Sequence, residues 1–261
     1  MKKRIFFILI LAAVCMPAIG VSAEGGVFPV KKGVRVEALF AGNDKQPVIE
    51  ADGDPEMADT IWVYYSDFSF EQFAETDGRV VLFSTGTYEF TGDADFICEE
   101  DKTDNGRIIL RRTQKYQEGK GLADYSSEHA YDLGTLGFEP IYVSGNEESS
   151  VRAVYYGCDI QPYTEADGDA EMLDTWWVYF ADGTFRQYAV ADDTIVLFST
   201  GTYEFSGTES FFYESDKAND GTVVLNRNRK YNAAEGLAPY ESSHEYNLEE
   251  LGYTRIVAVS E

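Results

Sequence analysis

Glu50, Asp52 and Asp54, followed by Glu56 and Asp59, concentrate carboxylates on one short stretch, and Glu165, Asp167 and Asp169, followed by Glu171 and Asp174, do the same later in the chain. Clustered carboxylate oxygens are the donor set of a hard cation such as Ca²⁺. The helix-flanked calcium loop needs acids at positions 1, 3 and 5 and Gly at 6. Here Gly53 and Gly168 follow the second acid, so that loop is not formed. Two readings stand: a Ca²⁺ site, the one cofactor these residues suggest, or an acidic, solvated connecting turn. A glycosidase also works with two carboxyl groups, held about 5 to 9 Å apart across a cleft. Spacing along a chain does not set spacing across a cleft.

His129 and His244 are the only histidines. Each shares a strand face with a Tyr and a Leu, so each is expected to point inward. An inward imidazole serves as a base, a metal ligand or a hydrogen-bonded core group. One per copy is too few for a transition-metal site unless carboxylates complete it. No Ser or Cys nucleophile stands in a recognisable setting around them, and the chain reads as a non-enzyme. Arg112 alternates with Ile108 and Leu110, as Arg227 does with Val223 and Leu225. An Arg on an apolar face stacks on an aromatic ring or pairs with an acid, for which Glu89 and Glu204 are at hand. Trp62, Tyr64, Tyr88 and Tyr131, with Trp177, Tyr179, Tyr203 and Tyr246, have the apolar body and polar tip that line a ligand cup or fill a β core.

These residues come in pairs because the chain repeats itself. Val81-Leu82-Phe83-Ser84-Thr85-Gly86-Thr87-Tyr88-Glu89-Phe90 reads again intact from Val196 to Phe205, at an offset of 115. Glu50-Ala51-Asp52-Gly53-Asp54, Gly121-Leu122-Ala123, His129 and Leu136-Gly137 recur at the same offset, and about half of all aligned positions are identical. The copies span 33–145 and 151–260, each of ordinary domain size and large enough for an interior of its own. Between them, Ser144 to Ser150 is short and polar and reads as a flexible but tight linker.

Each copy reads as strands. Thr60–Ser66 is apolar on both faces and expected to be buried on both. Asp182-Gly183 makes a good hairpin turn after its counterpart, whereas the first copy offers the poorer Asp67-Phe68. Phe70–Glu75 alternates. Val80–Thr91 holds Gly86 in its middle, the sign of a bulge or bend. Phe96–Glu99 and Arg107–Thr113 are expected to pair. Further strands through His129, Phe138–Val143 and Val34–Phe40 bring the total to about eight short strands per copy. Helical periodicity is nearly absent. The fold class is all-β: two tandem antiparallel meanders, each curling into a barrel.

Met1-Lys2-Lys3-Arg4, an apolar run from Ile5 to Val14 and the small residues Val21-Ser22-Ala23 form a secretory signal over 1–23, with cleavage expected after Ala23 and an extracellular product. A lipid anchor on Cys15 is the alternative. No later stretch is apolar enough to insert stably in a membrane. The net charge of −25 becomes three units more negative when Lys2, Lys3 and Arg4 leave. Such a surface repels phosphate backbones, so nucleic acid is not an expected partner. Cys98 and Cys158 occupy non-matching places in the two copies; they either bridge them or stay as buried thiols.

Trp177-Val178-Tyr179-Phe180-Ala181-Asp182-Gly183-Thr184-Phe185, then Gly201-Thr202-Tyr203, resembles the W-x-x-x-x-D-G-T-F … G-T-Y run of bacterial lipocalin-like, calycin-type domains. Trp62, Phe70 and Gly86-Thr87-Tyr88 stand in the same places of the first copy. The G-x-W opening of that family is absent, since Trp62 follows Thr60-Ile61. The resemblance implies an up-and-down barrel with a cup for a small apolar ligand. It also implies a late-strand Arg packed over an early Trp, here Arg112 on Trp62 and Arg227 on Trp177. The expected partner is accordingly a small apolar ligand or another protein. The alternatives are a small extracellular carbohydrate-active hydrolase using the repeated carboxylates, and a structural or adhesive surface repeat.

Overall fold

The structure is a computed structural model and describes residues 28, 31–42, 60–76, 79–92, 95–96, 107–117, 119–132, 138–157, 175–191, 194–206, 211, 222–247 and 253–260. Residues 1–23, the acidic stretches with Glu50, Asp52, Asp54, Glu165, Asp167 and Asp169, and both Cys98 and Cys158 lie outside the described residues.

The described chain is all-β. A short strand β1 (Lys31–Lys32) precedes the first copy, which contributes β2 (Val36–Gly42), β3 (Thr60–Tyr65), β4 (Ser69–Thr76), β5 (Arg79–Phe90), β6 (Arg107–Gln117), β7 (Gly121–Asp132) and β8 (Glu139–Val143). The second contributes β9 (Val151–Gly157), β10 (Thr175–Phe180), β11 (Thr184–Ala191), β12 (Thr194–Phe205), β13 (Thr222–Asn232), β14 (Gly236–Asn247) and β15 (Thr254–Ser260). The strands are rich in Val, Ile, Tyr, Phe and Trp, side chains that suit a pleated, half-buried surface. Among the described residues the one helical turn is the 3-10 segment Ser144–Asn146.

Each copy forms one antiparallel meander, in the order β7-β6-β5-β4-β3-β2-β8 and β15-β9-β10-β11-β12-β13-β14. β1 adds itself in parallel to β15, so the segment ahead of the first copy completes the sheet of the second. Neither sheet closes: β7 and β8 remain at opposite edges of one, and β14 and β1 at opposite edges of the other. The expected barrels are therefore open sheets. The expected pairing of Phe96–Glu99 with Arg107–Thr113 is also replaced. β6 pairs with β5 and β7, and Phe96 is a buried bend residue.

Thr60–Tyr65 and Thr175–Phe180 are buried at every position, as their two apolar faces require. The two faces go to different interiors. Ala38, Phe40, Trp62, Tyr64, Phe70, Tyr88, Ile108, Leu110 and Tyr131 cluster on one face of the first sheet. Ala153, Tyr155, Trp177, Tyr179, Phe185, Val223, Leu225 and Tyr246 do so on the second. The opposite faces meet each other. Leu39, Ile61, Val63 and Phe73 share one cluster with Val154, Trp176, Val178 and Val257. The expectation of two wholly separate interiors is thus corrected to three layers of apolar packing, the middle one shared. The cause is that an open sheet with two apolar faces must cover both, and each copy covers the other.

The linker is tied down rather than loose. Ser149 Oγ accepts from the Asp182 amide, and the Ser150 carbonyl accepts from the Ala181 amide. Glu147 pairs with Arg186. Across the same junction the Tyr188 hydroxyl donates to the Ile141 carbonyl at 2.9 Å.

Candidate functional site

The meander collects the expected lining residues on one face of each sheet. Trp62 and Tyr64 come from β3, Tyr88 from β5, Arg112 from β6, and His129 and Tyr131 from β7. Trp177, Tyr179, Tyr203, Arg227, His244 and Tyr246 come from the corresponding strands of the second copy. In the first copy Trp62, Tyr64, Tyr88, Arg112 and Tyr131 are each 7% exposed or less. They pack on one another: Trp62 stacks on Tyr64, and Tyr64 meets Tyr88 edge-on at 5.2 Å. His129 is half-buried opposite Leu110, with its ring 6.2 Å from Tyr131. His244 repeats this against Tyr246 at 6.2 Å.

Arg112 lies over Trp62 at 5.4 Å, and Arg227 over Trp177 at 5.4 Å. β3 and β6 are three strand steps apart, about 14 Å along a flat sheet, so the sheet must curve for these side chains to meet. The curvature has a backbone cause. A Cβ on Gly86 would sit 1.9 Å from the Arg111 carbonyl oxygen, and one on Gly201 2.0 Å from that of Asn226. Both glycines stand at register shifts between neighbouring strands. Only Gly lets the strands approach this closely.

Arg112 does not take Glu89. Glu89 is held instead by Arg111, which also binds Glu128 on the exposed face. Arg112 Nε donates to Ser84 Oγ at 3.4 Å and its Nη1 to the Tyr131 hydroxyl at 3.1 Å. The Ser84 hydroxyl donates to Gln72 Oε1 at 2.7 Å, and Gln72 Nε2 donates to Thr60 Oγ1 at 3.4 Å. A buried polar ladder thus crosses five strands, from β3 to β7. The second copy keeps the links from Ser199 to Gln187 and from Arg227 to Tyr246. Sequence reasoning missed the ladder. Its signal was present in Thr60/Thr175, Gln72/Gln187 and Ser84/Ser199, small polar residues kept at the 115 offset inside apolar strands. A spine of buried, mutually hydrogen-bonded polar groups fixes side-chain positions on this face.

Among the described residues, clefts open elsewhere. One, about 280 Å³, runs along β8 between the copies and is lined by Ile141, Tyr142, Glu147, Arg186 and Tyr188. Another, about 370 Å³, is lined by Phe68, Tyr88, Phe90 and Phe96 together with Arg35, Glu37, Asp95 and Val143–Gly145. Tyr88 is the expected lining residue that reaches this second cleft. Phe68 is distinctive on two counts. It is 58% exposed, the exposed large apolar side chain of the described residues. Its φ of +64° lies in the left-handed region, where Gly183 of the second copy has +83°. In both turns an Asp accepts from the residue two positions on: Asp67 Oδ1 from Ser69, and Asp182 Oδ1 from Thr184. The turn is common to both copies, and the bulky residue at its strained position is not.

Among the described residues no group of His, Cys, Asp and Glu is arranged to hold a metal ion. No family model, no curated protein and no solved structure matches the chain.

Proposed function

We propose that this chain is an exported, non-enzymatic binding protein, and that the cleft lined by Phe68 is where it takes a small ligand with an apolar body. The observation that carries this is Phe68 itself. A left-handed backbone costs a non-glycine residue about 1–2 kcal/mol, and exposing the ring to water forgoes the gain of burying it. Strain held at an exposed aromatic beside a cleft of small-molecule size points to use of that side chain. The second copy, with Gly183, serves as the unstrained scaffold. The Arg–Trp stacks in both copies support reading each meander as an opened relative of the lipocalin-like domain. In this reading the ligand sits in that cleft and not within a barrel.

The test is a fluorescence titration of the full chain with the neutral dye N-phenyl-1-naphthylamine, alongside Phe68→Gly. The dye is expected to brighten with the parent chain and to lose at least ten-fold in affinity with the variant, whose circular dichroism stays unchanged. Equal brightening by both chains, or none by the parent, overturns the assignment.

A further inference from the structure

We infer that the cleft along β8 takes an extended segment of a partner protein, laid parallel to β8 with an aromatic side chain against Tyr188. The chain itself shows how such a seat is filled, because the duplication makes the junction between the copies twice. At one junction the arm ahead of the first copy lies beside β15, where Lys31 and Lys32 pair in parallel with Val259 and Ser260. Phe28 of this arm packs edge-on against Phe73 at 4.9 Å, and Lys31 pairs with Glu71 at 3.0 Å. At the 115 offset Phe73 becomes Tyr188, Glu71 becomes Arg186, and β15 corresponds to β8. Tyr188 and Arg186 line the cleft at the other junction, together with Ile141 and Tyr142 of β8. The side chains that the arm contacts at one junction thus have counterparts that face an open space of about 280 Å³ at the other.

The difference has a covalent cause. At the β8 junction the lead-in to the second copy runs straight on from β8 through Ser144–Asn146. It brings Glu147 to Arg186, as the arm brings Lys31 to Glu71, but it supplies no strand beside β8. Among the described residues β8 has β2 on one side and no strand on the other. The backbone groups of such an edge accept an added strand, and pockets beside it select the side chains. Ile141 falls at the register shift between β2 and β8, and its carbonyl accepts from the Tyr188 hydroxyl at 2.9 Å. A carbonyl oxygen has two lone pairs, so it can also accept from an incoming amide. A cavity of about 150 Å³ already takes benzene, so the cleft has room for an aromatic ring. The chain has one arm and two seats, and the arm is held at β15, so the occupant at β8 comes from another protein. The net charge of −25 favours a basic segment, as the arm with Lys31 and Lys32 is.

The probe is a synthetic peptide with the sequence of residues 26–34, labelled with fluorescein and titrated with the full chain by fluorescence anisotropy. Saturable binding at a single site is expected. A peptide with Ala in place of its Phe is expected to bind at least ten-fold more weakly, and Tyr188→Ala in the protein to cost the parent peptide a similar factor. Placing p-benzoylphenylalanine at the Phe position locates the seat by photocrosslinking, expected at residues 140–143 or Tyr188. No binding, or equal binding by the Ala peptide, overturns the inference. Crosslinking to Phe73 or β15 also overturns it, since the peptide would then be displacing the chain's own arm, and so does crosslinking to Phe68. The crosslink needs no variant of the protein, so a folding defect in Tyr188→Ala does not shield the inference.

Discussion

Glu147 grips Arg186 at two points, Nη1 to Oε1 at 2.6 Å and Nη2 to Oε2 at 2.7 Å, and Arg186 lies over Phe180 at 5.1 Å. The first copy builds the same contact with the signs reversed. Glu71, in the place of Arg186, pairs with Lys31 at 3.0 Å, and Lys31 lies 4.6 Å over Tyr65, the counterpart of Phe180. In each case one charge sits on the second strand of a hairpin and the other on the segment leading into that copy. Lys31 belongs to β1, which pairs with β15, so its ion pair also fastens the second sheet to the first.

The matched signs make a swap experiment decisive. Glu147→Lys sets a cation against Arg186 and is expected to lose about 1–2 kcal/mol in urea unfolding, since the pair is two-thirds shielded from water and doubly hydrogen-bonded. Adding Arg186→Glu restores most of it. A double variant no more stable than the single one would show that the pair is not coupled.

Gly86→Ala should be among the most damaging small changes available. The added carbon would meet backbone, which cannot rotate aside as a side chain does. A loss of about 3 kcal/mol or more is expected by urea denaturation, at the upper end of overpacking costs. Gly201→Ala behaves alike. A loss below about 0.5 kcal/mol would contradict the close approach of β5 and β6.

Arg112→Lys keeps the charge but loses the planar fork that lies on Trp62 and reaches both Ser84 and Tyr131. About 2 kcal/mol of destabilisation is expected, with a shift in tryptophan emission as Trp62 changes neighbour. Unchanged emission and stability would mean that the stack does not hold in solution.

Phe68→Gly is expected to stabilise the fold by about 1 kcal/mol, through relief of the left-handed backbone and despite the lost contact with Tyr88. The melting temperature should rise by a few degrees while ligand binding disappears. A fall in melting temperature would place the value of Phe68 in packing instead.

Burial pushes the hydroxyls of Tyr64 and Tyr65 well above the ordinary tyrosine value of 10.0, and those of Tyr142 and Tyr203 up to about 12. The folded state holds these protons at pH values where the unfolded chain releases them. Stability is therefore whole below about pH 10 and falls as the pH climbs from there toward the folded values. Tyrosinate absorbance at about 295 nm from these residues should appear together with the loss of near-ultraviolet circular dichroism. Full ionisation with the dichroism intact would show that their hydroxyls are not buried.

Residue order alone determined the duplication, the all-β class, a bulge or bend at Gly86, and the double burial of Thr60–Tyr65. Each follows from period-two patterning or from a glycine standing where β-branched residues are the rule. The stack of Arg112 on Trp62 was legible through the lipocalin-like run, although the carboxylate offered as its alternative partner went to Arg111. The tertiary structure alone decided what lies against each face. Alternation says which side chains point the same way, and nothing about what they meet, because the surface covering Ile61 and Val63 comes from a copy more than a hundred residues away. For the same reason the open edges, the pairing of β1 with β15 and the reversal of sign between Glu71 and Arg186 could not be read locally. Phe68 shows the limit most clearly. In the chain it is a poor turn residue, and only the approach of Phe90, Phe96 and Glu37 from elsewhere in the sequence places it on a cleft.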